Sequence, residues 1–325
     1  MEMRRVLIVG CGQLGSRHLQ AVATLPQVKE IEVVDPRPEA LELGKTRLLE
    51  ATDRQPSITV QWYTSLHDAT PGGALCIVAT HADVRPQLVR DVAESLGYTA
   101  FLVEKLVAQS VQEYERLMQE ATAKRWAVWV NCKTRAHPSH RRVKARLRPE
   151  EPIFLSVMGG NHGLANNGIH AADLFVFYDG ASQIECAGST IDPIVHQTNR
   201  GLFDLSGTLH GSSARGSRFT LSFAQHQGPV HFTVVSPSYR AIVDDMLQWF
   251  WESTPQDGWA WRQVPFQANM TVSHMTRQFA SEILSRSHCE LPTLQECYPA
   301  HRFILEQLQP HFALLLGVEQ ACPVT

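Results

Sequence analysis

Short, almost wholly apolar runs alternate with helix-period stretches along the first third of the chain. VLIVG, LCIVAT and FLVEK are hydrophobic at nearly every position, as strands covered by helices on both faces must be. The pattern predicts strands over 6–10, 31–35, 58–62, 74–80, 100–105 and 127–131, with helices over 14–24, 38–50, 85–96 and 111–124 between them. Strand and helix in alternation is the signature of a parallel sheet built from βαβ units, so the fold class is α/β with a doubly wound sheet.

After Asn131 the rhythm changes. A basic segment and one apolar run, IFLSVMG, lead into a Gly/Asn-rich stretch and then DLSGTLHG, RFTLSFA and VHFTVVS, adjacent alternating runs with no helix between them. Such runs predict an antiparallel sheet. From Thr271 onward the pattern is helical again, broken at Leu291 and Pro292. The expected organisation is a first domain over 1–131 and a second over 132–325.

Composition narrows the class. With 44% hydrophobic and 19% charged residues and a formal net charge of -3, the chain reads as a soluble globular protein with no nucleic acid as partner. No apolar run approaches the ~20 residues that cross a bilayer, and the N-terminal run stops at Gly10 in a glycine-rich turn, so no membrane partner and a cytoplasmic location are expected. The seven cysteines are scattered without a CxxC pair, and the fifteen histidines include no HExxH or HxH. Neither a disulfide framework nor a metal is expected.

The chemistry begins at VGCGQLG. Gly10, Gly12 and Gly15 form G-x-G-x-x-G directly after a strand and at the start of a helix, with Gln13 and Leu14 inside the turn. In a Rossmann βαβ unit the first glycine permits the tight turn, the second admits a pyrophosphate, and the third packs helix on strand. Asp35, at the end of the second strand, is placed to accept hydrogen bonds from the adenosine ribose hydroxyls and to repel a 2′-phosphate. NAD is thus favoured over NADP. Arg37 works against that preference, because a guanidinium there can pair with a 2′-phosphate.

VGCGQLGSRH, VVDPRPEAL, CIVATHADVRPQLV, FLVEKLVAQS and GGNHGLANNGIHAADLF together resemble the glucose-fructose oxidoreductase, inositol dehydrogenase and MocA-like (Gfo/Idh/MocA) oxidoreductases. The resemblance implies a Rossmann domain followed by an α/β domain with a large, open, mostly antiparallel sheet that commonly mediates oligomer contacts, here a homodimer or homotetramer. It also implies that Glu104 and Lys105 match the family's Glu-Lys-Pro motif, the lysine lying beside the nicotinamide, and that Thr80 lies near the cofactor. His170 matches the active-site histidine. At the position where many polyol-oxidising relatives carry an aspartate stands Asn166, which can orient a group and cannot accept a proton. Leu106 replaces the family's proline, so a less rigid chain is expected after Lys105. His81 and Arg85 replace the proline and histidine common near the fourth strand.

Lys105 also stands on physical grounds, because open α/β sheets bind ligands beyond the C-terminal ends of their strands, and an ammonium there can stabilise an alkoxide. Arg135 resembles a family arginine at the edge of the substrate cleft, while the rest of the basic run 133–148 reads as a solvated helix face. His162 is a candidate substrate contact. Trp249, Trp251, Trp259 and Trp261 read as core or interface packing. The C-terminal region, FASEILSRSHCELPTLQECYPAHRFILEQL, looks like that of relatives associated with nine-carbon acidic or amino sugars. The expected activity is NAD(P)-dependent hydride transfer to or from a sugar, inositol or nucleotide-sugar; the alternative is a noncatalytic NAD(H)-binding sensor or partner subunit on the same fold.

Overall fold

The structure, a computed structural model, describes residues 4–325 except 52, 56, 162 and 199–201. The chain divides into two compact units. The first takes the chain up to Ala108, Glu113–Asn131 and, after a long excursion, Asn269–Leu294. The second takes Gln109–Gln112, Cys132–Ala268 and Gln295–Thr325.

In the first unit, strands β1 (Arg4–Val9), β2 (Val28–Val34), β3 (Thr59–Tyr63), β4 (Leu75–Val78), β5 (Ala100–Val103) and β6 (Ala127–Val130) form a parallel sheet in the order β3-β2-β1-β4-β5-β6. Helices α1 (Gly15–Val22), α2 (Pro38–Glu50), α3 (Arg85–Leu96) and α4 (Val111–Lys124) connect them, close to the predicted elements. The inner strands are buried along nearly their whole length: Val6, Leu7, Ile8, Cys76, Ile77, Val78, Phe101 and Val103 have no exposed surface. Burial on both faces accounts for the unbroken apolar runs.

Strand order reverses between β1 and β4, and open α/β sheets bind ligands at such a switch point. The pairings Val9↔Val34, Val9↔Val78, Val78↔Val103 and Val103↔Val130 bring five strand ends level. The residues that follow, Gly10, Asp35, Ala79, Glu104 and Asn131, therefore share one edge. Helix α7 (Val272–Arg286) belongs to this unit and lies against α1.

In the second unit, helix α5 (Pro138–Arg146), strand β7 (Phe154–Gly159) and helix α6 (Gly168–Asp179) precede strands β8 (Glu185–Gln197), β9 (Phe203–Ser212), β10 (Arg218–Phe223), β11 (His231–Val235), β12 (Arg240–Asp244), β13 (Trp249–Ser253) and β14 (Arg262–Gln263), and helix α8 (Leu294–Leu316) closes the chain. The sheet runs β14-β13-β12-β11-β7-β10-β9-β8 and is antiparallel except where β10 meets β7. Alternation sorts its faces. Leu155, Val157, Phe219, Leu221, Val234, Val243 and Phe250 point into a core, where Phe219 stacks on Phe175 of α6 at 5.2 Å and meets Phe303 of α8 edge-on at 5.5 Å.

The opposite face carries Phe154, Met158, Ile242, Trp249 and Trp251, all exposed. Core packing is therefore excluded for these two tryptophans, and for Trp261, which is 42% exposed. Among the described residues no helix is long and apolar enough to cross a membrane.

Candidate active site

The glycine-rich turn has the geometry that its three roles require. Gly10 sits at φ +89°, and a Cβ there would lie 2.9 Å from Thr80 Cγ2, which places Thr80 against the turn. A Cβ on Gly15 would fall 1.8 Å from the Gly10 carbonyl oxygen, so only hydrogen lets α1 approach β1 this closely. At Gly12 a Cβ would meet nothing nearer than Arg37 Nη2 at 3.5 Å, leaving room for a pyrophosphate. Leu14 caps α1 without a side-chain acceptor, so the first-turn N–H groups face that space with the positive end of the helix dipole. Arg47 fastens the turn from α2, donating to the Gln13 backbone oxygen at 2.7 Å, to Ser16 Oγ at 2.6 Å and to Gln13 Oε1.

Asp35 is 2% exposed and fully engaged. Its Oδ2 accepts from the Cys11 N–H at 2.8 Å and Arg37 Nη2 at 3.1 Å, and its Oδ1 accepts from the Arg37 N–H at 3.0 Å and Nε at 3.1 Å. Burial alone would raise this carboxyl, but the bonds from Arg37 and Cys11 outweigh it and hold it below the ordinary aspartate range. Burial and the same carboxylate push the Cys11 thiol up to about 12. The Arg37 side chain is 57% exposed, so Asp35 and Arg37 form an ion pair with its cation outermost.

At the end of β5, Glu104 is buried and accepts two hydrogen bonds at Oε1, from His18 Nε2 at 3.0 Å and Asn131 Nδ2 at 2.6 Å. Burial would raise its pKa, yet the His18 bond and charge, helped by Asn131 and Lys105, bring it down to about 2. His18 also meets Thr276 Oγ1 of α7 at 2.8 Å. Lys105 follows, half-buried, on the same edge as the glycine turn. The Lys105–Leu106 peptide is cis, and Leu106 is fully buried. The chain after the lysine is held in place by Arg85, 1% exposed, whose guanidinium donates to the carbonyl oxygens of both Leu106 and Thr80.

In the second unit, His170 occupies the first turn of α6 and is half-buried. Asn166 lies in the turn before it, its backbone N–H and that of Ala165 donating to Asp204 Oδ2 and Oδ1 at 3.0 and 2.9 Å. Asp204, 1% exposed, anchors this turn to β9. Arg135 is 7% exposed and grips Asp173 through Nε at 2.7 Å and Nη2 at 2.5 Å, one turn along α6 from His170. His162 lies outside the described residues.

The sequence pattern gives no role to His18, Asn131, Arg47, Asp173 and Asp204, and marks Arg85 only as a departure from the resembling family. His18 and Asn131 sit next to quoted motifs, but nothing local shows that both point at Glu104.

Residues 4–132 match the model of an oxidoreductase family with an NAD-binding Rossmann fold. Residues 4–132 thus carry the NAD-binding domain of the Gfo/Idh/MocA oxidoreductases. No curated protein matches the chain by sequence. The fold of the chain is shared with UDP-N-acetylglucosamine 3-dehydrogenase GnnA from Acidithiobacillus ferrooxidans, at 15% identity and TM-score 0.72 over 98% of each chain. It is shared with an oxidoreductase from Agrobacterium radiobacter in complex with NAD+, L-tartaric acid and magnesium, at 13% identity and TM-score 0.72 over 94% of this chain and 95% of that one. A variant of KijD10, a 3-ketoreductase from Actinomadura kijaniata in complex with TDP-benzene and NADP, matches at 18% identity and TM-score 0.70 over 93% and 96%.

Proposed function

We propose that this Gfo/Idh/MocA oxidoreductase is a dehydrogenase or reductase that uses NAD(H) on a secondary alcohol or ketone of a sugar, inositol or nucleotide-sugar. The observation that carries the reading is Lys105, a half-buried ammonium at a parallel-strand end, directly after a fixed carboxylate and on the edge that bears the dinucleotide turn. The sugar-nucleotide dehydrogenase and the ketoreductase crystallised with TDP-benzene, which share the fold, support the substrate class.

When bound, the nicotinamide gives or takes a hydride at the substrate carbon. Lys105 hydrogen-bonds the substrate oxygen and stabilises the alkoxide or supplies its proton. His170 takes the hydroxyl proton in oxidation or returns it in reduction. Asn166 orients the hydroxyl or the imidazole through its amide. With Nε and Nη2 on Asp173, Arg135 acts by holding the His170 helix and by its charge, in place of a bidentate clasp on substrate. The exposed face of the second sheet, where Trp249, Trp251, Ile242 and Leu247 line a cleft of about 540 Å³, is covered in this reading by another copy of the chain, giving a homo-oligomer.

Titration with NADH and NADPH, followed by a turnover screen on sugars, inositols and nucleotide-sugars, tests the proposal. Turnover that falls at least about a hundredfold in Lys105→Ala and in His170→Ala, with NADH binding kept, is the expected result. Tight NADH binding without turnover on any substrate assigns a noncatalytic sensor instead, and turnover unchanged in both variants removes the site assignment.

A further inference from the structure

We propose that His137, His140 and Asp245 form a site for a divalent transition metal of the zinc class in the second unit. His137 caps α5 and His140 lies in its first turn, so H-x-x-H turns both imidazoles to one side, where Asp245 arrives from the end of β12. His137 Nδ1 lies 2.7 Å and His140 Nε2 2.9 Å from the same carboxylate oxygen, Oδ2, and the three donor atoms all fall within 4.8 Å of one another. His137 is 4% and His140 0% exposed.

Two imidazole nitrogens and a carboxylate oxygen are a donor set that zinc takes readily, with water or the second carboxylate oxygen completing a tetrahedron. Bond lengths near 2.0 Å place tetrahedral ligands about 3.3 Å apart, so an ion needs Oδ2 to draw away from each imidazole nitrogen by only about 0.5 Å.

The surrounding contacts are those that orient metal ligands. His140 Nδ1 is 2.6 Å from Tyr178 Oη, and Phe232 meets the His140 ring edge-on at 4.7 Å, fixing its plane. Ser139 Oγ donates to the other carboxylate oxygen at 2.8 Å. In the metal-free arrangement each imidazole can donate its N–H to Oδ2. Metal uptake then requires each neutral ring to carry its proton on the far nitrogen, leaving the near lone pair for the ion, with no net change in proton count. At His140 the far N–H meets the Tyr178 oxygen. At His137 it meets Lys133 Nζ, 3.3 Å from Nε2 and on a half-buried side chain that must turn aside. Lys133 therefore weakens the site, and removing its charge should strengthen it.

The bound ion would tie α5 to β12 and, through Tyr178, to α6. It uses none of the residues assigned to hydride transfer, so its test is independent of that reading.

The test is titration of chelator-stripped full-length protein with zinc chloride by calorimetry and with cobalt chloride by absorption. One equivalent should bind at micromolar concentration or below, with cobalt d–d bands of a nitrogen/oxygen site. Affinity should fall at least tenfold in His140→Gln and in Asp245→Asn, each checked as folded by circular dichroism, and should rise in Lys133→Gln. No uptake by the unmodified protein overturns the proposal. So does a sulfur-to-cobalt charge-transfer band in the near ultraviolet, which would place the ion at Cys132 and Cys297, whose sulfurs lie 3.4 Å apart beside Asp173. Affinity unchanged in folded His140→Gln overturns it as well.

Discussion

His18 and Glu104 form a buried pair in the first unit, Nε2 to Oε1 at 3.0 Å, with the far side of the imidazole on Thr276 Oγ1. A residue of the glycine-turn helix, the residue before Lys105 and a residue of α7 are thereby joined in one hydrogen-bonded line. The line fixes the backbone from which Lys105 projects.

The Glu104 carboxyl is held at about 2, below its ordinary 4.5. A depressed carboxylate stabilises the fold fully above its unfolded pKa, and that contribution is lost as pH falls from 4.5 towards 2. The shift corresponds to about 3 kcal/mol at neutral pH. Urea unfolding of the parent protein and Glu104→Gln should show a clear deficit in the variant at pH 7 that shrinks near pH 3. An equal deficit at both values would mean that Glu104 is not ionised in the folded chain.

Arg85 holds two carbonyl oxygens, those of Thr80 and Leu106, and so links the end of β4 to the chain after Lys105. Arg85→Ala leaves both without that donor and should cost about 1–3 kcal/mol of stability. It should also lower kcat by tenfold or more, because Lys105 then shifts relative to the substrate oxygen. Rescue of the melting temperature by a stabilising osmolyte without rescue of kcat would separate positioning from folding; parent-like kcat would exclude a positioning role.

Arg37 covers Asp35. Its removal in Arg37→Ala should bare the carboxylate and increase the preference for NADH over NADPH by about tenfold, whereas Asp35→Ala should move the preference the other way. Fluorescence titration reads both. An unchanged ratio in both variants would place the ribose elsewhere.

Trp249 and Trp251 are 56% and 36% exposed on the outer sheet face. In Trp249→Glu combined with Trp251→Glu, light scattering after gel filtration should report a smaller assembly with the parent's circular dichroism. If the parent is itself monomeric, a second copy does not cover that face.

Short-range features were readable before any coordinates. The parallel-sheet elements, the glycine turn and Asp35 depend on spacings within one βαβ unit, while an apolar run marks β7 and alternation marks β9, β10 and β11. Residues whose partners are distant were not. His18 meets Thr276 across 258 positions and His140 meets Asp245 across 105, so neither pairing leaves a periodic trace. H-x-x-H at His137 and His140 gains meaning as a donor pair only when the end of β12 delivers Asp245. Strand β8 escaped because most of its positions are at least partly exposed and carry little hydrophobic alternation, with shifts in register against β9.

Helix α7 belongs to the segment of the first unit that leaves the ribosome last. Between Asn131 and Val272 the nascent chain must emit the greater part of the second unit, which at ordinary elongation rates takes on the order of ten seconds. During that interval α1 has α2 and β1 but lacks α7, and His18 lacks Thr276. The N-terminal unit is therefore expected to stay protease-sensitive until α7 arrives, and a fragment ending at Asn131 should be cleaved within α1 by a protease to which the full-length protein is resistant. Protection of that fragment equal to the full chain would show that the sheet matures without α7. Otherwise synthesis delivers the dinucleotide-binding unit late, although it is encoded first.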